Sequence, residues 1–341
     1  MINNELTKIK ILSKKLNKNI FSYTILVQEM ILLFLKTEII LHSKRPNPKK
    51  EIKEYLQNII NRLSDILLMN SFQGKEKIKL QIFVKETNHQ KLFQDLWIRY
   101  NDNQFINDRF NAYIKRIKKN NILKEFKNKY CIDFGCGHGQ FLMALKKLGA
   151  KKVVGIDFGE KNISFANKMK KKLKFTDNNV KFIRGNVYSV PFKNNSFDFA
   201  VQNGVFHHLK DENRAYKEVH RVLKKGGKFW CYTDGSGGIR GSILDFIQQT
   251  LQKVDDEFVL KIIRSMKLTT NKTYMLSDFL NAKYTRTTRN EITKRLAKIG
   301  FKNFKPMQGG FVTDYDKFHS KDKNFKIKFG EGHIRLMCEK K

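Results

Sequence analysis

Three glycines, Gly135, Gly137 and Gly139, fall within five positions of CIDFGCGHGQF (131–141), directly after a short apolar run. Side-chain-free positions let a backbone turn tightly and let a ligand lie against the main chain. The spacing G-x-G-x-G departs from the dinucleotide pattern G-x-G-x-x-G, because Gln140 stands where the third glycine would be. Asp133, just ahead of the turn, would repel a pyrophosphate, whereas its carboxylate can accept hydrogen bonds from an ammonium group. The loop therefore suits a ligand without phosphates. Asp157 closes the run VVGID 24 residues later, and one carboxylate there can accept from both hydroxyls of a diol. His207 and His208 follow SFDFAVQNGVF (196–206). A histidine at that place can act as a general base or simply pack its loop.

These residues need a frame, and from Tyr130 the pattern supplies one. KYCIDFG, KKVVGID, VKFIRG, SFDFAVQNGV and KFWCYTDG read as strands. GQFLMALKKLG, KNISFANKMKKKLK and DENRAYKEVHRVLKKGG read as the helices between them; the last has Ala215, Val219, Val222 and Leu223 on one face. Strands alternating with helices predict a parallel sheet covered on both faces, with ligands at its carboxyl edge. Residues 1–125 show helical periodicity and almost no strand signal; EIKEYLQNIINRLSDILLM carries one wide apolar stripe. The expected organisation is a helical N-terminal domain or cap over 1–125 and a second domain over 126–341, with a lid insertion at about 236–287.

The ordered motifs give the second domain a family likeness. DFGCGHG resembles motif I of class I S-adenosylmethionine-dependent methyltransferases, and Asp157 falls where that family places an acidic residue on the two ribose hydroxyls. IRGN (183–186) stands where the family usually has Gly-Asp, so Asn186 replaces the expected acid near the adenine. VPF (190–192), NSFDFAVQNGVFHHL (195–209) and HRVLKKGGKFW (220–230) follow the subgroup that includes quinone-biosynthesis methyltransferases. The likeness covers about 130–235, with a looser match at KIGFKNFKP and HIRLMCEK. It implies an α/β, Rossmann-like seven-stranded sheet, mostly parallel with the last strand antiparallel. It also implies S-adenosyl-L-methionine as cofactor, held by Asp133, Gly135, Cys136, Gly137, Gly139, Asp157, Phe158, Asn186, Val187, Asn203 and Gly204. Tyr100, in DLWIRYND (95–102), is a flap candidate over the cofactor. His207 and His208 are the catalytic candidates, and Phe206, Phe246 and Tyr284 the substrate wall.

The chain has 341 residues, 68 basic and 32 acidic side chains, and a formal net charge of +36. The charge is spread along the whole chain, and only 14 of the basic residues are arginine, the side chain suited to bidentate phosphate recognition. It is read either as compositional bias or as a nucleic-acid surface. Cys131, Cys136, Cys231 and Cys338 form no C-x-x-C pair, so no metal site is expected and a reduced, cytoplasmic compartment is. The N-terminus lacks signal-peptide character. IFSYTILVQEMILLFL (20–35) is interrupted by Gln28 and Glu29, which predicts a buried helix in place of a transmembrane span.

The expected activity is methyl transfer from S-adenosylmethionine to O or C of a small-molecule acceptor. An RNA (tRNA-type) methyltransferase is the alternative that would use the positive charge, although QNGV lacks the N/D-P-P-Y/F motif of enzymes that methylate exocyclic base amines. A non-catalytic cofactor-binding subunit is the third reading.

Overall fold

The computed structural model describes residues 2–16, 19–43, 47–70, 102–281, 284–309, 314 and 320–341. In chain order come α1 (Asn3–Lys15), α2 (Ile20–His42) and α3 (Pro48–Asn70). A wide π-type turn, Phe105–Phe110, then runs into α4 (Asn111–Lys119). The alternating region follows as β1 (Tyr130–Phe134), α5 (Gln140–Lys147), β2 (Lys152–Asp157), α6 (Glu160–Lys172) and β3 (Val180–Arg184). It continues with β4 (Phe197–Asn203), α7 (Glu212–Val222) and β5 (Leu223–Asp234). Three helices come next: α8 (Gly238–Leu251), α9 (Asp256–Ser265) and α10 (Thr270–Asn281). The described elements end with α11 (Arg289–Ile299), β6 (Phe301–Pro306) and β7 (His333–Lys340).

Contacts divide the molecule into two compact units. One contains α1–α3, α8–α10 and residues 326–330; the other contains all seven strands with α4–α7 and α11. In the first, α2 buries Leu26, Val27, Met30, Ile31, Leu33 and Phe34. Its charged interruption is neutralised within the unit, because Glu29 accepts two hydrogen bonds from Arg62 of α3, at 2.5 and 2.7 Å. Among the described residues no helix is long and apolar enough to cross a membrane. Phe279 of α10 packs on Phe34, and the Arg240 guanidinium sits 4.6 Å from the Phe279 ring while pairing with Glu38.

The sheet of the second unit runs β3-β2-β1-β4-β5-β7-β6. Strands β1 to β5 pair in parallel, and β7 is antiparallel to both β5 and β6. This is the expected Rossmann-like arrangement. Alternation along each strand splits the core between the two faces. Cys131, Val201, Trp230 and Met337 join one buried cluster; Ile132, Ala200, Cys231 and Leu336 join the other. One boundary differs from the sequence reading. Helical periodicity carries through Leu223, with the glycines placed after the last turn, but α7 stops at Val222 and Leu223 is already extended, paired with Phe197. The register then jumps to Phe199↔Lys228, so Lys224–Gly227 form a bulge in β5.

Candidate active site

The glycine turn links β1 to α5 at the carboxyl edge of the sheet. Gly139 is the N-cap of α5 with φ of 77°, and a Cβ there would lie 2.3 Å from the Phe182 ring. Only glycine fits that backbone against that neighbour. Gly137 is different: its φ is 51°, and among the described residues a Cβ built on it would meet nothing within 4 Å. Against the described residues, the crest of the turn therefore borders open space on the side where a ligand would lie. Cys136 lies behind the turn, its Sγ within 2.6 Å of where a Gly155 Cβ would be.

Asp157 holds this turn from β2. Its Oδ2 accepts from the Gly137 amide at 2.9 Å, and its Oδ1 accepts from the Gly159 amide at 2.8 Å and from Asn162 Nδ2 at 3.1 Å. With two lone pairs per oxygen, the described donors fill Oδ1 and leave Oδ2 one. Burial raises the Asp157 carboxyl, against the opposing effect of these three donors. Phe158, the next residue, is exposed, whereas Val187 is buried in the core and Asn186 is exposed with its Oδ1 accepting from the Tyr188 amide.

Asp133 lies at the end of β1, paired in register with Gly155 and Val201. It is buried, and among the described residues nothing donates to its Oδ1. Burial, with the Asp157 charge beside it, pushes its carboxyl up to about 8. A buried carboxylate oxygen without a donor is costly, and a cation placed over the turn would supply the missing partner.

At the end of β4, Asn203 is locked by three groups. Its Oδ1 accepts from Trp230 Nε1 at 3.3 Å and Arg116 Nη1 at 3.4 Å, and its Nδ2 donates to the Tyr113 hydroxyl at 3.1 Å. Gly204 follows with φ of 81°, and a Cβ there would lie 2.9 Å from the Tyr232 ring. Phe206 is fully buried between Phe134 and Tyr216. His207 is also buried, and its Nδ1 accepts from the Asp234 amide at 3.3 Å. That bond uses the Nδ1 lone pair, so neutral His207 carries its proton on Nε2 and acts as a donor. His208 is half-buried; His207 stacks on the Tyr284 ring, and His208 meets that ring edge-on.

The structure thus brings Asp133, the glycine turn, Asp157, Asn203, Gly204, His207, His208 and Tyr284 into the sheet-bearing unit. Phe246 lies in α8 of the other unit, where it is buried. Tyr100 lies outside the described residues. Sequence reasoning missed Arg116, Asp314 and Arg335. Arg116 and Arg335 both pair with Asp314; the two arginines are buried and Asp314 is nearly so. These positions carry no local motif; only the register Asn203↔Tyr232↔Arg335 across β4, β5 and β7 aligns Arg335 with the site.

Residues 132–231 match the family described as a methyltransferase domain. The demethylmenaquinone methyltransferase of Staphylococcus aureus (strain MRSA252) is 30% identical over 151 residues, which are 43% of this chain and 60% of that protein. The enzyme of the same name from Oceanobacillus iheyensis is 27% identical over 152 residues, 43% of this chain and 62% of its own. This chain therefore spans about 60% of the length of the curated relatives it matches. Among solved structures, the geranyl diphosphate C-methyltransferase of Streptomyces coelicolor A3(2) superposes with a TM-score of 0.45 at 14% identity, covering 68% of this chain and 79% of that one.

Proposed function

We propose that this chain, whose sheet carries a class I methyltransferase domain, transfers a methyl group from S-adenosylmethionine to O or C of a small-molecule acceptor. The observation that supports the reading most is the unpartnered, buried oxygen of Asp133 beside a glycine turn that is open at Gly137. That combination fits a cationic ligand lying against backbone, and the turn offers no glycine pattern for a pyrophosphate. The quinone-modifying relatives favour a small acceptor.

When bound, S-adenosylmethionine supplies a methyl group on a sulfonium, ready for in-line displacement. Asp133 receives the ammonium of the methionyl end. Asp157 fixes the Gly137 backbone and keeps one Oδ2 lone pair for a ribose hydroxyl. Phe158 presents an exposed ring at the end of β2 for the adenine. Asn203, held by Trp230, Arg116 and Tyr113, presents a fixed edge to the methionyl end, and positioning of this kind supplies much of the rate in a transfer reaction. His207, a donor through Nε2, orients the site; His208 is the histidine with the base role.

The test is transfer of labelled methyl from S-adenosylmethionine into a fractionated extract, with binding of S-adenosylhomocysteine measured alongside. Label in the small-molecule or lipid fraction is the expected result. Label in RNA would transfer the reading to the positive surface, and tight binding without transfer to any fraction would make the chain a binding subunit.

A further inference from the structure

Asp133, Asn203, Tyr232 and Arg335 point to one face of the sheet. Strand alternation places them with Cys131, Val201, Trp230 and Met337, the members of one buried cluster. They lie on β1, β4, β5 and β7, so the row from Asp133 to Arg335 crosses three strand spacings, about 14 Å. One end of the row is Asp133, whose buried Oδ1 has no donor among the described residues. The other end is cationic.

Arg335 is 1% exposed. Its Nη2 donates to Asp314 and lies 3.4 Å from His333 Nδ1, and its guanidinium lies 4.3 Å from the centre of the Tyr232 ring. Among the described residues nothing accepts from its Nε or Nη1, although both are buried. Arg116 approaches the same Asp314 from α4, its Nη2 3.1 Å from Oδ2. Burial and the neighbouring Arg335 charge both lower the Arg116 pKa, which is the signature of two guanidiniums drawn to one carboxylate. Asp314, for its part, stays ionised in spite of burial, because His333, Arg335 and Arg116 hold its carboxyl well below the usual range. Buried N–H groups without acceptors are costly, and an anion is the group that satisfies a guanidinium best.

We propose that Arg335 and Arg116 form a subsite for an oxyanion, a carboxylate or phosphate group carried by the methyl acceptor. The inference rests on the methyltransferase reading and adds the acceptor's charge to it. Arg116 joins the subsite to the cofactor side through Asn203. An acceptor anchored by its anionic group at β7 would extend along the row toward β4, where the transferable methyl is placed by that reading.

The experiment is isothermal titration of the full chain, saturated with S-adenosylhomocysteine, with benzoate, inorganic phosphate and the neutral isostere benzamide. Benzoate or phosphate should bind and benzamide should not, and the stronger of the two anions identifies the group. Arg335→Met should weaken anion binding about tenfold or more, with Arg335→Lys between it and the parent. An exposed control, Arg184→Met, should leave it unchanged. Equal binding of benzoate and benzamide by the parent chain would overturn the subsite, even if Arg335→Met fails to fold. Loss of homocysteine-ligand affinity in folded Arg335→Met would also overturn it, because the anion would then belong to the cofactor. Failure of the parent chain to bind S-adenosylhomocysteine would instead sink the methyltransferase reading, whatever the anions do.

Discussion

The Asp157 carboxylate reaches back twenty residues to accept the Gly137 amide at 2.9 Å, so the end of β2 fixes the crest of the turn that leaves β1. Asp157 is thus part of the loop's architecture as well as a ligand candidate. Asp157→Ala removes three accepted hydrogen bonds. It should cost about 2–3 kcal/mol of stability as well as cofactor affinity. Denaturant unfolding should report the first loss, and calorimetry with S-adenosylhomocysteine the second. Unchanged unfolding with lost binding would assign Asp157 to the ligand alone.

Asp133 gives a pH dependence of definite sign. Its carboxyl titrates near 8 in the fold against about 4 unfolded. The protonated form is favoured by folding, so its contribution is complete below pH 4 and is lost as pH rises toward 8. Asp133→Asn cannot ionise, so the ligand-free variant should gain on the parent as pH rises, by a few kcal/mol at pH 8. Melting temperatures at pH 4.5 and pH 8 should therefore diverge between the two proteins. The same variant should bind S-adenosylhomocysteine more weakly. Parallel melting curves at both pH values would contradict the burial argument.

Two glycines of one turn should fail differently. Gly139→Ala forces a methyl against Phe182 at a left-handed backbone, and about 2–4 kcal/mol of destabilisation is expected. Gly137→Ala meets no neighbour among the described residues, so the backbone cost of about 1–2 kcal/mol is the expected loss. Its methyl would instead occupy the ligand's approach, weakening S-adenosylhomocysteine about tenfold or more. Thermal melts and titrations of the two variants should show opposite rankings.

In the helical unit, Arg62→Ala would leave Glu29 buried without its bidentate partner. A loss of about 2 kcal/mol is expected, reduced by the partial exposure of Arg62. Glu29→Leu combined with Arg62→Leu should recover most of it. If the double variant is as unstable as Arg62→Ala, the pair does more than neutralise a charge.

Much of the sheet was legible because each strand is a short apolar run bounded by turn residues, and because the three glycines of the turn lie within five consecutive positions. Asp133 and Asp157 were legible for the same reason: each closes such a run. The boundary at Leu223 was not, since its apolar side chain suits a helix face as well as a strand. Arg116, Asp314 and Arg335 were illegible for a stronger reason. They are separated by 198 and 21 residues, in surroundings rich in lysine, and only the pairing of β7 with β5 brings them together. His207 illustrates a third limit. Its place after β4 was readable, but the amide that claims its Nδ1 belongs to Asp234 at the end of another strand.

The position of β7 between β5 and β6 also has a consequence for biosynthesis. Lys228 pairs with Glu339, 111 residues later, and the three helices α8–α10 are made in between. A nascent chain that has completed β1 to β5 therefore exposes β5 as an open edge until β7 emerges, and closing so long a loop is slow. During that interval the half-built sheet offers unpaired backbone to any neighbouring strand. Timely pairing of β7, or a chaperone that shields β5, would decide the yield of folded protein.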